Sequence, residues 1–201
     1  ITVIVSGGLY CLISTGNTQA VVVLVAAGFL ALISFVDDNR PLHAGIRFGC
    51  HGIAVTAAIW FLFRIGRVQI EDMYSTSAVV KLIVLVLLFL WIAGYTNAFN
   101  FMDGINGLVP GQLILMSVGS ALLYGTVEWE SGVPVIIALV LAGALTGFLP
   151  FNFPSPKMFM GDIGSVSLGF SFGVLIFWMA VHGQDQDLGY PLLPLTAYFF
   201  L

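Results

Sequence analysis

The chain has 201 residues, of which 59% are hydrophobic and only 8% charged, with a formal net charge of −4 and a mean hydropathy of +1.05. Water-soluble globular domains carry about 25% charged residues, so a surface this poor in charge excludes a soluble fold and points to an integral membrane protein. The acidic balance leaves no footprint for nucleic acid, and Cys11 and Cys50, in or beside apolar segments, are expected to act as small hydrophobes.

Apolar segments fall at 1–15, 20–36, 48–63, 79–96, 108–124, 133–149, 166–181 and 191–201, separated by short stretches rich in Gly, Asn, Ser and charge. They are continuous runs of Leu, Val, Ile, Phe and Ala rather than alternating ten-residue strands, which predicts helices and not a barrel. The expected fold is all-α: one integral-membrane domain over residues 1–201, a polytopic transmembrane helix bundle of about eight spans. Ile1 opens the chain without a basic n-region or a cleavage pattern, so residues 1–15 read as the latter part of a helix rather than a signal peptide. PLLPLTAYFFL at the other end is shorter than the ~20 residues a span needs. Both terminal spans are expected to be incomplete, and the chain to be a fragment.

Alternating sides along the chain places the loops near 37–45, 97–107 and 150–165 on one face and those near 64–78, 125–132 and 182–190 on the other. The first face then gathers Asp37, Asp38, Asp103 and Asp162, each amid Gly, Asn or Ser. The second carries Glu71, Asp72, Glu128, Glu130, Asp185 and Asp187 in ordinary polar loops, where solvated charge is the expected role. Lys and Arg divide evenly, Arg40, Arg47 and Lys157 against Arg64, Arg67 and Lys81, so the positive-inside rule gives no orientation.

Three motifs carry the chemistry of the first face. In SFVDDNR, Asp37 and Asp38 are adjacent carboxylates that repel unless a cation offsets them; they read either as a helix stop or as a charge pair handling Mg²⁺ or a proton, with Arg40 and Arg47 near to hold phosphate. In NAFNFMDGINGL, Asn97, Asn100, Asp103 and Asn106 recur at three-residue steps, which projects polar groups from one side of a helix end. Asp and Asn oxygens are hard donors suited to Mg²⁺, which keeps waters and is completed by phosphates; the alternative is a polar helix cap, but four polar groups at three-residue steps are more than a cap requires. In KMFMGDIGS, Asp162 enters a helix N-terminus, either as a cap or beside outward-pointing amides that cradle phosphate, with Lys157 as a mobile cation. The pairs Gly143/Gly147 and Gly169/Gly173 have small-xxx-small spacing and predict close helix packing. His43 and His51 are expected to be boundary histidines, and His182 a loop residue.

Together, in this order and on one face, SFVDD, NAFNFMDGINGL and FMGDIGS resemble the polyprenyl-phosphate N-acetylhexosamine-1-phosphate transferases of glycosyltransferase family 4. The resemblance covers essentially the whole chain. It implies transfer of a sugar-1-phosphate from a UDP-amino sugar to polyprenyl (undecaprenyl) phosphate with release of UMP, the opening step of lipid-linked cell-envelope glycans such as cell wall and lipopolysaccharide. It further implies a multi-pass enzyme of the plasma membrane with its site toward the cytoplasm, dependent on Mg²⁺ with Mn²⁺ as a substitute, and a homodimer is an admissible assembly. Carried onto this sequence, Asn100 and Asp162 would hold the metal at the diphosphate. Asp37 and Asp38 would lie by the acceptor phosphate as base or charge-positioning groups. Asp103 and Asn106 would contact the nucleotide, Phe159 would stack on uracil, and Lys157 and Arg47 would neutralise phosphate charge.

Three departures are visible. Asn106 stands where the bacterial pattern reads DGIDG, Pro110 stands where Gly or Ala is usual, and the family's His-containing basic loop would follow Leu201 as its basic, Gly-rich turn would precede Ile1. Short loops favour a GlcNAc-like sugar over a phospho-MurNAc-pentapeptide donor. The alternative readings are a cation-coupled transporter, which predicts acids deep within spans, and an inactive truncated relative that binds nucleotide without turnover.

Overall fold

A computed structural model describes residues 18–65, 77–125 and 133–182. They form six helices: α1 (Thr18–Asn39), α2 (Ala44–Ile65), α3 (Ala78–Met102), α4 (Leu108–Gly125), α5 (Val133–Asn152) and α6 (Gly161–His182). Helix after helix with no strand among the described residues is the all-α bundle the composition predicts. Four stretches, Val21–Asn39, Ala78–Met102, Val133–Asn152 and Gly161–Met179, are long and apolar enough to cross a membrane, and Leu108–Leu122 is a shorter apolar helix. The two terminal spans expected at 1–15 and 191–201 lie outside the described residues, as do Cys11 and the six acids assigned to the second face.

Leu32 (60% exposed), Leu82 (62%), Leu87 (60%) and Leu115 (61%) point away from the protein. Such an apolar exterior is stable only against lipid. Helix α6 is the axis of the bundle and packs against each of the other five described helices. Its apolar residues divide at three- and four-residue spacing between two cores. Val166, Phe170, Val174 and Trp178 join Leu30, Val55 and Ile92, while Leu168, Phe172, Leu175 and Met179 join Phe99, Leu113 and Leu141. A helix apolar on every side is an interior helix. Its serines are accommodated because their hydroxyls donate back to the helix itself, Ser167 to the Ile163 carbonyl at 2.6 Å and Ser171 to the Ser167 carbonyl at 2.7 Å.

Close approach of α3 and α6 depends on Gly169 and Gly173. A Cβ at Gly169 would stand 3.0 Å from the Tyr95 carbonyl oxygen, and one at Gly173 3.1 Å from the Tyr95 Cβ, as small-xxx-small spacing predicts. Gly143 and Gly147 do not behave this way. Among the described residues nothing lies within 4 Å of a Cβ at either, so the packing expected of that pair is corrected: spacing alone does not say which face of α5 meets a neighbour.

The three described connections, 40–43, 103–107 and 153–160, are short, so the C-termini of α1, α3 and α5 and the N-termini of α2, α4 and α6 share one face. The side assignment for Asp37, Asp38, Asp103 and Asp162 holds. Helix boundaries differ from the predicted breaks, because the polar residues extend helices instead of ending them. Asp37 and Asp38 remain in α1, whose last turn is closed by the Asn39 side-chain amide donating to the Phe35 carbonyl at 2.7 Å. Helix α3 runs on to Met102, and α6 begins at Gly161 with Asp162 in its first turn. Pro110 falls in the first turn of α4, where a missing N–H leaves no intrahelical bond unmade.

Candidate functional site

A cleft opens at this face between α1, α2, α3 and α6. Ser34, Asp37, Arg47, His51, Asn97, Asn100 and Asp162 line it, with Ile33, Phe48 and Val166 as its apolar wall. The periodicity of the helices explains the set. Ser34 and Asp37 on α1, and Asn97 and Asn100 on α3, are three apart; Arg47 and His51 on α2, and Asp162 and Val166 on α6, are four apart. Each pair therefore lies on one side of its helix.

Two interactions bridge the cleft's walls. The Asn100 side-chain amide donates to the Asp162 carboxylate at 2.8 Å and to the Ser165 hydroxyl at 3.2 Å, tying α3 to α6. Arg47 donates to Asp37 Oδ2 at 2.8 Å, while Asp37 Oδ1 accepts the Leu42 backbone N–H at 2.6 Å, tying α1 to α2 through their loop. His43 serves that loop too, its Nδ1 accepting the Gly45 N–H at 3.1 Å at the start of α2.

Asp38 is exposed beside the cleft, within electrostatic reach of Asp37 and Asp162. Asp103 follows the last turn of α3. Burial pushes its carboxyl up to about 6, the Gly161 backbone N–H opposes that rise, and the Asp162 charge adds to it. Asp103 and Asp162 are thus neighbours although 59 residues apart in sequence. Asn106, Lys157 and Phe159 lie on the same face in the 103–107 and 153–160 connections but do not line the cleft; all three are exposed, Phe159 by 74%.

These two connections are fastened by a residue the motifs do not mark. Asn152, at the end of α5 and 3% exposed, accepts the Gly107 N–H at 2.6 Å and donates to the Met158 carbonyl at 3.1 Å. Gly107 has φ +78°, and a Cβ there would stand 2.9 Å from the Phe153 side chain, so glycine is required for both conformation and space. The signal for Asn152 was a lone Asn ending an apolar helix. His51 was marked only as a boundary residue, though its place four residues after Arg47 puts it in the cleft.

The sequence matches known proteins over most of its length. A family model described as glycosyl transferase family 4 matches residues 20–180. The chain is 30% identical over 173 residues to a decaprenyl-phosphate N-acetylglucosaminephosphotransferase of Mycolicibacterium smegmatis, covering 78% of this chain and 40% of that protein. It is 40% identical over 154 residues to a phospho-N-acetylmuramoyl-pentapeptide-transferase of Streptococcus thermophilus, covering 72% of this chain and 44% of the relative. Over a shorter stretch of 86 residues it is 43% identical to the protein of that name from Enterococcus faecalis. The chain thus spans less than half the length of these relatives.

Proposed function

The chain belongs to glycosyl transferase family 4, and from that premise we propose that it forms the membrane-embedded site of an enzyme transferring a sugar-1-phosphate from a UDP-N-acetylhexosamine to polyprenyl phosphate, with release of UMP. The observation that carries this reading is the convergence of Asp37, Arg47, Asn100 and Asp162 on one cleft at a bundle face, where a water-soluble nucleotide sugar and a lipid-borne phosphate can meet. That face is assigned to the cytoplasm, where nucleotide sugars are available. The named relatives divide between an N-acetylglucosamine and an N-acetylmuramoyl-pentapeptide donor, so the substrate class is the N-acetylhexosamine; a GlcNAc-like sugar is the reading taken from the short loops.

The donor atoms favour a hard divalent cation, with Mg²⁺ as the proposal and Mn²⁺ as its substitute. Asp162 receives the Asn100 amide and stands within electrostatic reach of Asp38 and Asp103, so the carboxylates here repel one another unless positive charge joins them. Among the described residues no group of three or more His, Cys, Asp or Glu side chains is close enough to cage an ion, and Mg²⁺ typically takes one or two carboxylates and completes its shell with water and phosphate. Asp162 and Asn100 are the proposed ligands, the latter through its amide oxygen. Bound there, Mg²⁺ would supply charge neutralisation at the diphosphate.

The remaining work falls to the chain's own groups. An acceptor phosphate oxygen attacks the β-phosphorus of the UDP-sugar, the bond from that phosphorus to the bridging oxygen breaks, and UMP carries the bridging oxygen away. Such a transfer depends on in-line positioning and on charge neutralisation. Arg47 and Lys157 contribute positive charge, Asp103 and Asn106 take the nucleotide side, Phe159 offers an exposed ring for uracil, and Asp37 and Asp38 stand on the acceptor side. The test is UMP formation by the full-length protein in lipid nanodiscs with UDP-GlcNAc. UMP that appears only when undecaprenyl phosphate and Mg²⁺ are both present supports the reading; lipid-independent UMP release, or none with any UDP-N-acetylhexosamine, contradicts it.

A further inference from the structure

We propose that Asp37 is a positioning residue rather than a base, and that it holds the Arg47 guanidinium in the cleft as the receptor for the phosphate of the prenyl acceptor. This rests on the transferase reading above. Both Asp37 oxygens are already engaged, one by the Leu42 N–H at 2.6 Å and the other by Arg47 at 2.8 Å, and the side chain is only 11% exposed. A general base needs an oxygen aimed at the proton it removes. Here one oxygen faces backbone and the other faces a guanidinium whose charge already matches its own.

The acceptor has little need of a base. The second ionisation of a phosphate monoester lies near about pH 6, so at neutral pH the attacking oxygen is largely deprotonated before it binds. What it needs is a cation that places it. Arg47 is the only Lys or Arg among the described residues lining the cleft. It is 47% exposed, and its planar fork has five N–H donors, so the bond to Asp37 leaves others for phosphate oxygens.

The surroundings of Arg47 favour the acceptor over the donor. Phe48 beside it is 74% exposed, Ile46 52% and Phe35, on the facing end of α1, 52%, which makes this the lipid-facing wall of the cleft. A prenyl chain entering from the bilayer brings its phosphate to that wall. The diphosphate belongs across the cleft, near Asp162.

The experiment uses the full-length protein in nanodiscs with Asp37→Asn, Arg47→Gln and the double variant. In Asp37→Asn the carboxamide oxygen can still accept the Leu42 N–H, but the ion pair with Arg47 is lost. Binding of farnesyl phosphate relative to farnesol is measured alongside UDP-GlcNAc binding, and kcat and KM are measured for undecaprenyl phosphate. Each single variant is expected to weaken farnesyl phosphate binding about tenfold, the worth of one charge-assisted contact, and to raise KM for the lipid while UDP-GlcNAc binding is retained. The double variant should bind no more weakly than Arg47→Gln, because Asp37 acts only through Arg47. A fall in kcat of about 100-fold or more at saturating lipid in Asp37→Asn, with farnesyl phosphate binding intact, is the signature of a base and overturns the inference. So does loss of UDP-GlcNAc binding in Arg47→Gln, or a wild type that binds farnesyl phosphate no better than farnesol. A wild type that binds farnesyl phosphate but never forms UMP defeats the transferase reading alone, and the binding comparisons still decide the role of Arg47.

Discussion

Replacing Asn152 with Ala separates this account from one in which the surface loops are passive. Asn152 is 3% exposed and makes two side-chain bonds, accepting from the Gly107 N–H at 2.6 Å and donating to the Met158 carbonyl at 3.1 Å. Each such bond contributes about 0.5–1.5 kcal/mol net, and a buried partner left unsatisfied adds about 1–3 kcal/mol. Gly107 is half-buried and Met158 exposed, so water relieves part of that penalty and the total comes to about 3 kcal/mol. For a protein of this size 1 kcal/mol moves Tm by roughly 2–4 °C, which gives a fall of about 6–12 °C. Tryptophan-monitored unfolding in detergent is the assay, with Asn152→Asp as the graded control: it keeps the acceptor for Gly107, loses the donor to Met158, and is expected to fall about half as far. Because these bonds fasten the connections that bear Asn106 and Phe159, UMP formation should fall with both variants. An Asn152→Ala protein whose Tm stays within about 2 °C of wild type would show that Asn152 does not fasten these loops.

Three other outcomes are expected. Gly169→Ala should destabilise by about 1–3 kcal/mol, since its Cβ meets the Tyr95 backbone oxygen at 3.0 Å and something must move; Gly143→Ala, with no described residue within 4 Å of its Cβ, should be neutral or slightly stabilising, and equal effects on Tm would contradict the packing described. Asp103, pushed from 3.8 to about 6, binds its proton more tightly folded than unfolded, so metal-free stability should decline as pH rises between those values and level off above them; Asp103→Asn should flatten that slope, and a slope unchanged by the substitution would remove Asp103 as its source. Phe159→Ala should weaken UDP-GlcNAc binding about tenfold or more, as loss of base–aromatic stacking does, with farnesyl phosphate binding retained; unchanged nucleotide affinity would rule out stacking.

How much of this was legible in the sequence follows from the range of the interactions involved. The side assignment worked because apolar runs separated by breakers can only alternate, so Asp37, Asp103 and Asp162 were placed together by counting. The three-residue steps from Asn97 to Asn106 found the right helix end, although α3 proved to continue through Asn100 to Met102. The breaks misjudged helix ends because a polar residue that bonds back to its own helix, as Asn39 does to Phe35, extends it. Gly143/Gly147 and Gly169/Gly173 are the same signal in a sequence, and only the neighbour across α6 distinguishes them. The role of Asn152 was hidden for a similar reason: a lone Asn ending an apolar helix marks the residue, but its partners, Gly107 and Met158, lie 45 residues before and 6 residues after it. His51 was within reach of sequence reasoning, since its four-residue offset from Arg47 already placed both on one side of α2.

Sugar-1-phosphate transfer is proposed to take place in the cleft joining Asn100 and Asp162. The most direct test is Asp162→Asn in the full-length protein, assayed for UMP formation from UDP-GlcNAc and undecaprenyl phosphate with Mg²⁺ and again with EDTA, with Tm measured on the same preparations. The substitution and the chelator are each expected to lower turnover by about 100-fold or more, while Tm stays near that of wild type. A folded Asp162→Asn protein that still forms UMP at close to the wild-type rate would contradict that assignment.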